Sequence, residues 1–149
     1  MSHWSSSAAQ RFLEARRAKQ LRDSKVLHDS EMLERKASSV WLELSEDFRR
    51  KCEEFNKEPG VGQVLFFDNS DPHELKIRCS EANKVLTITF INDLKVVRIK
   101  GLKESADFNF GVLEGTSNVG LFYAGREPRA TDDIATAAMD MFLAEQYTK

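Results

Sequence analysis

The sequence predicts an α+β fold with a long N-terminal helical region, an antiparallel meander sheet of five or six strands and a C-terminal helix. Apolar residues recur at steps of three and four in the first part of the chain and switch to a step of two from Val61. Two strand-like segments flank Asn92-Asp93, a dipeptide that favours a tight hairpin because both residues tolerate positive φ. Helical spacing returns after Thr131, which predicts the final helix.

The composition is that of a globular chain. Its 149 residues are 41% hydrophobic and 31% charged, a length that suits one domain. The formal net charge of -2 demands neither a nucleic acid nor a membrane as partner. The charge is uneven, however, because residues 1–28 contain six cations against two anions. We therefore predict a basic helical arm over residues 1–28 and a single α+β domain over residues 29–149.

The sequence predicts a cytoplasmic protein with no membrane partner. No apolar run reaches the roughly 20 residues that a membrane helix needs. The first residues lack the apolar segment of a secretory signal. Cys52 and Cys79 fit no disulfide or metal motif, and we expect both to be buried and reduced.

The first predicted helix spans residues 7–21. Ser7 and Gln10 fit a capping box, with a hydroxyl at the helix start and an amide three residues on. The apolar side chains of such a helix form one narrow stripe: Phe12, Ala15, Ala18 and Leu21. Asp23-Ser24 either ends this helix or is crossed by it.

A second helix is predicted from Asp29 or Ser30 to residue 55, before Pro59-Gly60. Its apolar stripe is long: Leu33, Ala37, Val40, Trp41, Leu44, Phe48, Cys52 and Phe55. Such a helix is about 40 Å long, at 1.5 Å per residue. Because that exceeds the width of a small sheet, one end is expected to project or to pack on a second copy.

Alternating apolar and polar residues predict six strands, over residues 63–67, 75–80, 85–91, 94–100, 107–113 and 119–124. Most of the turn-rich separators are short, which favours antiparallel pairing of neighbours. The segment from Gly125 to Pro128 is predicted to stop the last strand. Thr131 then caps the final helix, whose apolar stripe is Ile134, Ala138, Met141 and Phe142.

The predicted turns divide the sheet into an apolar face and a cationic face. With Asn92-Asp93 as a two-residue loop, Ile88 is expected opposite Val97. With a four-residue loop at residues 81–84, Ile77 is expected opposite Ile88. Both turns assign the same core face: Leu75, Ile77, Cys79, Leu86, Ile88, Phe90, Val97 and Ile99. The other face carries Lys76, Arg78, Thr87, Thr89, Arg98 and Lys100.

The sequence contains no catalytic or metal-binding motif. His3, His28 and His73 stand apart, with no His or Cys at metal-ligand spacing. The loop from Asp68 to Glu74 gathers carboxylates but lacks the spacing of a calcium loop, so an ordinary turn is favoured. No nucleophile elbow, phosphate loop or dinucleotide fingerprint is present. We therefore expect a non-enzymatic protein with no catalytic residue, no metal and no cofactor.

Two groups of residues are candidate binding sites. The first is an anion-binding set: Lys76, Arg78, Arg98 and Lys100 on the sheet, with Arg16 and Arg17 on the arm. A wet, soluble sheet face is the alternative interpretation of the sheet cations. The second is a subunit interface: Phe12, Val40, Trp41, Leu44 and Phe48. Core packing is the alternative role for the aromatic and aliphatic members of that set.

The leading functional prediction is a protein-interaction or adaptor domain that forms a homodimer through its N-terminal helices. An acidic protein is a second possible partner. The first alternative is anion or nucleic-acid binding by the cationic residues, although the arm has few aromatics for base stacking. The second alternative is a carrier of a small apolar ligand, with a cavity lined by Phe66, Phe90, Phe108 and Phe110.

Overall fold

The structure, a computed structural model, describes residues 3–113, 116, 118–124 and 126–147. Helix α1 (His3–Asn56) precedes seven strands, and helix α2 (Thr131–Tyr147) follows them. The strands are β1 (Leu65–Asp71), β2 (Glu74–Cys79), β3 (Val85–Ile91), β4 (Val96–Lys100), β5 (Ala106–Val112), β6 (Val119–Tyr123) and β7 (Pro128–Arg129). They form one antiparallel sheet in chain order. The predicted α+β meander with terminal helices is confirmed, with seven strands rather than five or six.

Helix α1 is continuous over 54 residues and about 80 Å long. It crosses Asp23-Ser24 without a break, because the segment contains no glycine or proline to interrupt it. The predicted start at Ser7 is wrong. The helix already includes His3, and the Ser7 carbonyl oxygen accepts a hydrogen bond from Arg11 Nε at 3.4 Å inside it.

The C-terminal half of α1 packs on one face of the sheet. Its buried apolar side chains are Met32, Ala37, Trp41, Leu44, Phe48 and Cys52. Trp41 Nε1 donates a hydrogen bond to the Pro72 carbonyl oxygen at 2.8 Å, and its ring lies 5.7 Å from that of Phe90. The polar part of Trp41 is thus satisfied while its rings fill the core.

The predicted division of the sheet into two faces is confirmed, although the pairing is shifted. All eight residues predicted for the core face are buried. Ile88 lies opposite Ile99 rather than Val97, and Ile77 lies opposite Leu86 rather than Ile88. Each pairing has moved by two residues, and a shift of two leaves every side chain on the same face.

The β3–β4 turn has four residues instead of the predicted two. Asn92–Leu94 form a 3-10 turn, and Lys95 takes a left-handed conformation with φ 50° and ψ 54°. Lys95 Nζ donates to the Asn92 carbonyl oxygen at 2.9 Å and lies 3.0 Å from Glu34 Oε1 of α1. The side chain of Lys95, which follows Asn92-Asp93 in the turn, therefore holds the turn against α1.

The end of α1 is tied to the edge of the sheet. Asn56 Oδ1 accepts hydrogen bonds from the backbone N–H groups of Leu65 at 2.9 Å and Val64 at 3.2 Å. Asn56 Nδ2 donates to the Leu65 carbonyl oxygen at 2.8 Å. The Asn56 side chain thereby pairs with β1 as a neighbouring strand would, which covers part of an exposed edge.

Strand β7 was not predicted, because Pro128 was interpreted as a stop. Pro128 pairs with Phe122 of β6. A proline is compatible with this position because β7 is the last strand of the sheet. Gly125 of the predicted stop and residues 115 and 117 of the predicted β5–β6 turn lie outside the described residues, as do residues 1, 2, 148 and 149.

Helix α2 packs beside α1 through a wider stripe than predicted. Its buried side chains are Ile134, Ala135, Ala138, Met139 and Phe142. Met141 was predicted for this stripe but is 49% exposed, because Met139 takes the inward position. Thr131 Oγ1 donates to Asp47 Oδ2 at 2.5 Å, and both residues are buried. This hydrogen bond fixes the start of α2 at the level of Asp47.

Candidate interaction site

The first part of α1 projects from the body of the protein. We call residues 3–28, the described part of the predicted basic segment, the arm, and the rest of the described chain the body. Every arm residue except Ala8 is exposed, and the first buried side chain along the helix is that of Met32. Contacts within the arm are local, as between Gln10 Nε2 and Glu14 Oε1 at 3.4 Å. The arm is thus a helix without the packed face that normally stabilises one.

The arm exposes more apolar side chains than the predicted stripe contained. The large ones are Trp4, Phe12, Leu13, Leu21, Val26 and Leu27. The Arg16 guanidinium covers one side of the Phe12 ring at 4.5 Å, and the ring is still 58% exposed. Leu13 was missed because it lies off the stripe drawn through Phe12, and Val26 and Leu27 were missed because the first predicted helix ended at residue 21. This many exposed large apolar side chains on one projecting helix favour an interaction surface.

The arm and the body carry opposite charge. The six cations and two anions of residues 1–28 give a formal charge of +4. Because the whole chain carries -2, the remaining residues carry a net -6. The predicted arm cations Arg16 and Arg17 are both exposed. The arm is therefore a cationic rod joined to an acidic body.

Three of the five predicted interface residues belong to the protein's own core. Trp41, Leu44 and Phe48 are 3%, 0% and 0% exposed, and Val40 is partly buried against the same core. Contact of Trp41, Leu44 or Phe48 with a second chain would require the sheet to be unpacked. In the structure these three side chains take the alternative role, which is core packing. Phe12 alone among the five is exposed enough to meet a partner.

The four predicted sheet cations lie together on the outer face of the sheet: Lys76, Arg78, Arg98 and Lys100. Arg98 donates from Nε and from a terminal nitrogen to the two oxygens of Asp107, at 2.9 and 3.1 Å. Lys76 Nζ lies 3.4 Å from Glu74 Oε1. Acids thus neutralise two of the four cations. The arm cations Arg16 and Arg17 form a separate group, about 22 Å along α1 from the start of packing at Met32.

The Arg98–Asp107 pair should make stability depend on pH. The hydrogen bond from Arg98 holds the pKa of the Asp107 carboxyl below its ordinary value. A lowered pKa in the folded state stabilises the protein above the unfolded pKa of about 3.9, and this contribution is lost as the pH falls through the folded value. We expect Asp107→Asn to lower the melting temperature at pH 6. At pH 2.5 the gap between the melting temperatures of the variant and the native protein should be smaller. A constant difference at both pH values would contradict the ion pair.

The aromatic residues predicted to line a ligand cavity are packed or point elsewhere. The rings of Phe90 and Phe110 lie 5.2 Å apart, and those of Phe108 and Tyr123 lie 5.4 Å apart. Phe66 was predicted for the cavity but lies on the outer face, because Leu65 and Phe67 take the inward positions of β1. Two clefts in the described part of the chain open at the surface, and neither is lined by Phe90, Phe108 or Phe110.

The described residues contain neither a group of metal ligands nor a helix that could span a membrane. Within the described ranges, no three His, Cys, Asp or Glu residues are grouped as metal ligands. In those ranges no helix has the length and apolar character to cross a membrane. Cys52 and Cys79 are buried and unpaired, as expected, and burial raises the pKa of the Cys52 thiol to about 12. That thiol stays protonated at neutral pH and is a poor nucleophile.

Comparisons of the chain with protein-family models, with curated proteins and with solved structures found no match. The features of the molecule that point to a function are the projecting arm, its exposed apolar side chains and the charge difference between arm and body.

Proposed function

We propose that the protein is a non-enzymatic interaction or adaptor protein that forms a homodimer through its N-terminal arm. The observation that carries this proposal is the continuous helix that leaves the body near Met32 and exposes six large apolar side chains. Full burial of one such side chain stabilises a complex by about 1.5–3 kcal/mol. Burial of several of these side chains against a partner would therefore stabilise a complex of the arm with that partner.

The charge and the cysteines support the setting of this function. A cationic arm and an acidic body attract each other between copies, whereas a uniformly charged protein would repel its own kind. The unpaired, buried thiols of Cys52 and Cys79 are typical of a reducing compartment. We accordingly propose the cytoplasm as the location of the protein.

The two alternative functions have less support. Anion binding by the sheet requires free cations, yet Arg98 and Lys76 lie beside Asp107 and Glu74. A carrier of an apolar ligand requires an open cavity, yet Phe90 packs against Trp41 and Phe110. The arm, by contrast, exposes its charged and large apolar side chains.

Sedimentation equilibrium tests the proposal. We expect the full-length protein to be a dimer at micromolar concentration and a chain lacking residues 1–23 to dimerise more weakly. The melting temperature of the isolated truncated subunit should change little, because the core begins at Met32. A full-length protein that remains monomeric up to roughly 100 μM would contradict the proposal, since it limits the association free energy to weaker than about -5.5 kcal/mol.

A pair of point variants separates a specific arm contact from general stickiness. Phe12→Ser should weaken the dimer, because the exposed ring is lost from the arm. Leu94→Ser removes a side chain of similar exposure from the β3–β4 turn of the body and should leave the dimer unchanged. Equal effects of the two substitutions would argue against an arm-mediated contact.

A further inference from the structure

We propose that the arm of one copy docks on the outer face of α2 of a second copy, and that the second arm returns the same contact. The proposal rests on the self-association proposed above and identifies the surface that receives the arm. It follows from the charge of α2, from the position of α2 relative to the arm, and from the like charge of the two arms.

Helix α2 presents an acidic outer face. Its 17 residues contain four acids, and its sequence has no Lys, Arg or His. Asp132 already lies 3.0 Å from Lys51 Nζ and 3.3 Å from an Arg50 terminal nitrogen. Asp133 and Asp140 are exposed, and neither has an ion-pair partner within the described residues. They are seven residues apart and therefore lie on the same side of the helix, and the exposed Met141 follows Asp140 in the sequence.

The arm matches this face in length, charge and apolar content. The 17 residues from Arg11 to Leu27 equal α2 in length and contain all six cations of the arm. The same stretch contains five of the six exposed large apolar side chains, with Phe12 and Leu13 at one end and Val26 and Leu27 at the other. Phe12, Arg16, Lys19 and Val26 follow one another at steps of four, three and seven residues and therefore share one side of this stretch. Contact through that side would bring two cations and two apolar side chains against Asp133 and Asp140.

The arm cannot reach α2 of its own chain. The hydrogen bond between Thr131 and Asp47 fixes the start of α2 twenty residues beyond Leu27, about 30 Å farther along α1. From that point α2 extends to the β2–β3 turn, where the Glu145 carbonyl oxygen accepts from Lys84 Nζ at 3.4 Å. The β2–β3 turn lies at the same end of the sheet as the start of β1, which follows the end of α1. The α2 helix therefore runs away from its own arm.

Contact between the two arms is the less favourable arrangement. Each arm carries +4, so the two would repel along their whole length. Docking on α2 replaces this repulsion with attraction. A two-fold axis generates two identical arm–α2 contacts, and this doubles the buried area of a single contact and closes the assembly as a dimer.

Charge reversal at both surfaces tests the proposal. The arm variant carries Arg16→Glu, Arg17→Glu and Arg22→Glu, and the α2 variant carries Asp133→Lys and Asp140→Lys. We expect each variant to weaken dimerisation by about tenfold or more in sedimentation equilibrium at low salt, because each brings like charges together. A chain that carries all five substitutions should recover most of the lost affinity, since its acidic arm then faces the two cations introduced on the outer side of α2.

Two controls protect this test from trivial explanations. Glu81→Lys with Glu104→Lys makes the same change in net charge as the α2 variant, but at exposed loop positions, and dimerisation should be unaffected. Asp133→Asn with Asp140→Asn removes the α2 charges without reversing them, and the loss should be smaller than with lysine. Thermal melts of all variants identify any that has failed to fold, and the asparagine pair then replaces the lysine pair.

The outcomes separate this proposal from the broader one. A dimer that loses affinity on arm reversal but is insensitive to the α2 substitutions would overturn docking on α2 while leaving arm-mediated association in place. Loss in both single-surface variants without recovery in the combined chain would also overturn it. A native protein that is monomeric at all concentrations would overturn both proposals and direct attention to a different acidic partner.

Discussion

Replacing Ile88 with aspartate should leave the protein unfolded, whereas replacing its neighbour Thr87 with aspartate should be tolerated. Ile88 is completely buried, and its partners on the adjacent strands are Leu75 and Ile99. A carboxylate at that position would have no partner among these side chains. Burying an unpaired charge costs several kcal/mol, which is comparable to the whole stability of a domain of about 5–15 kcal/mol.

Thr87 is the matched control for this prediction. It lies on the outer face, with Lys76 opposite on one neighbouring strand and Lys100 opposite on the other. An aspartate there would sit between two cations. We expect circular-dichroism melts to show a folded Thr87→Asp protein with a transition close to that of the native protein. Similar destabilisation by both substitutions would contradict the assignment of the two faces.

The same hairpin shows which part of the sheet could be predicted from sequence. The assignment of the faces depends on the parity of the register alone, and a two-residue and a four-residue turn have the same parity. The pairing depends on turn length. That length was set by Lys95, which takes a left-handed conformation and contacts Asn92 and Glu34. Glu34 lies 61 positions earlier in the chain, so no local reading of Asn92-Asp93 could have included it.

The continuity of α1 illustrates a second limit. The sequence indicated helical spacing on both sides of Asp23-Ser24, and this pair left the question of a break open. The absence of glycine and proline from His3 to Asn56 was the stronger signal, since these residues most often end a helix. It favoured one helix regardless of the weak stripe in its first half.

The candidate site was predictable in charge but not in extent. The basic character of residues 1–28 is visible in the composition. Which part of the apolar stripe becomes core depends on the size of the sheet, which covers the helix only from about Met32 onward. For this reason Trp41 and Phe12 appeared equivalent as interface candidates, although one is buried and the other is exposed.

In the turn after β4, Gly101→Ala should lower the free energy of unfolding strongly. Gly101 has a φ of +100°, which side chains rarely adopt, and a Cβ atom there would lie 2.1 Å from the Val85 carbonyl oxygen. That oxygen belongs to the backbone of β3, so relief of the overlap requires two strands to move apart. We expect a loss of about 2–5 kcal/mol in the free energy of unfolding, the sum of backbone strain and overpacking.

Gly62→Ala isolates the part of this effect that comes from φ alone. Gly62 has a φ of +77°, and no atom lies within 4 Å of the position that its Cβ would take. The expected loss is about 1–2 kcal/mol, the cost of the left-handed conformation for an ordinary residue. Urea unfolding of both variants and the native protein measures the difference. If Gly62→Ala is as damaging as Gly101→Ala, the close approach of the β4 end to Val85 is wrong. A markedly larger loss for Gly101→Ala would instead support the approach, because the two positions share the backbone strain and differ in the strand carbonyl that the added methyl group meets.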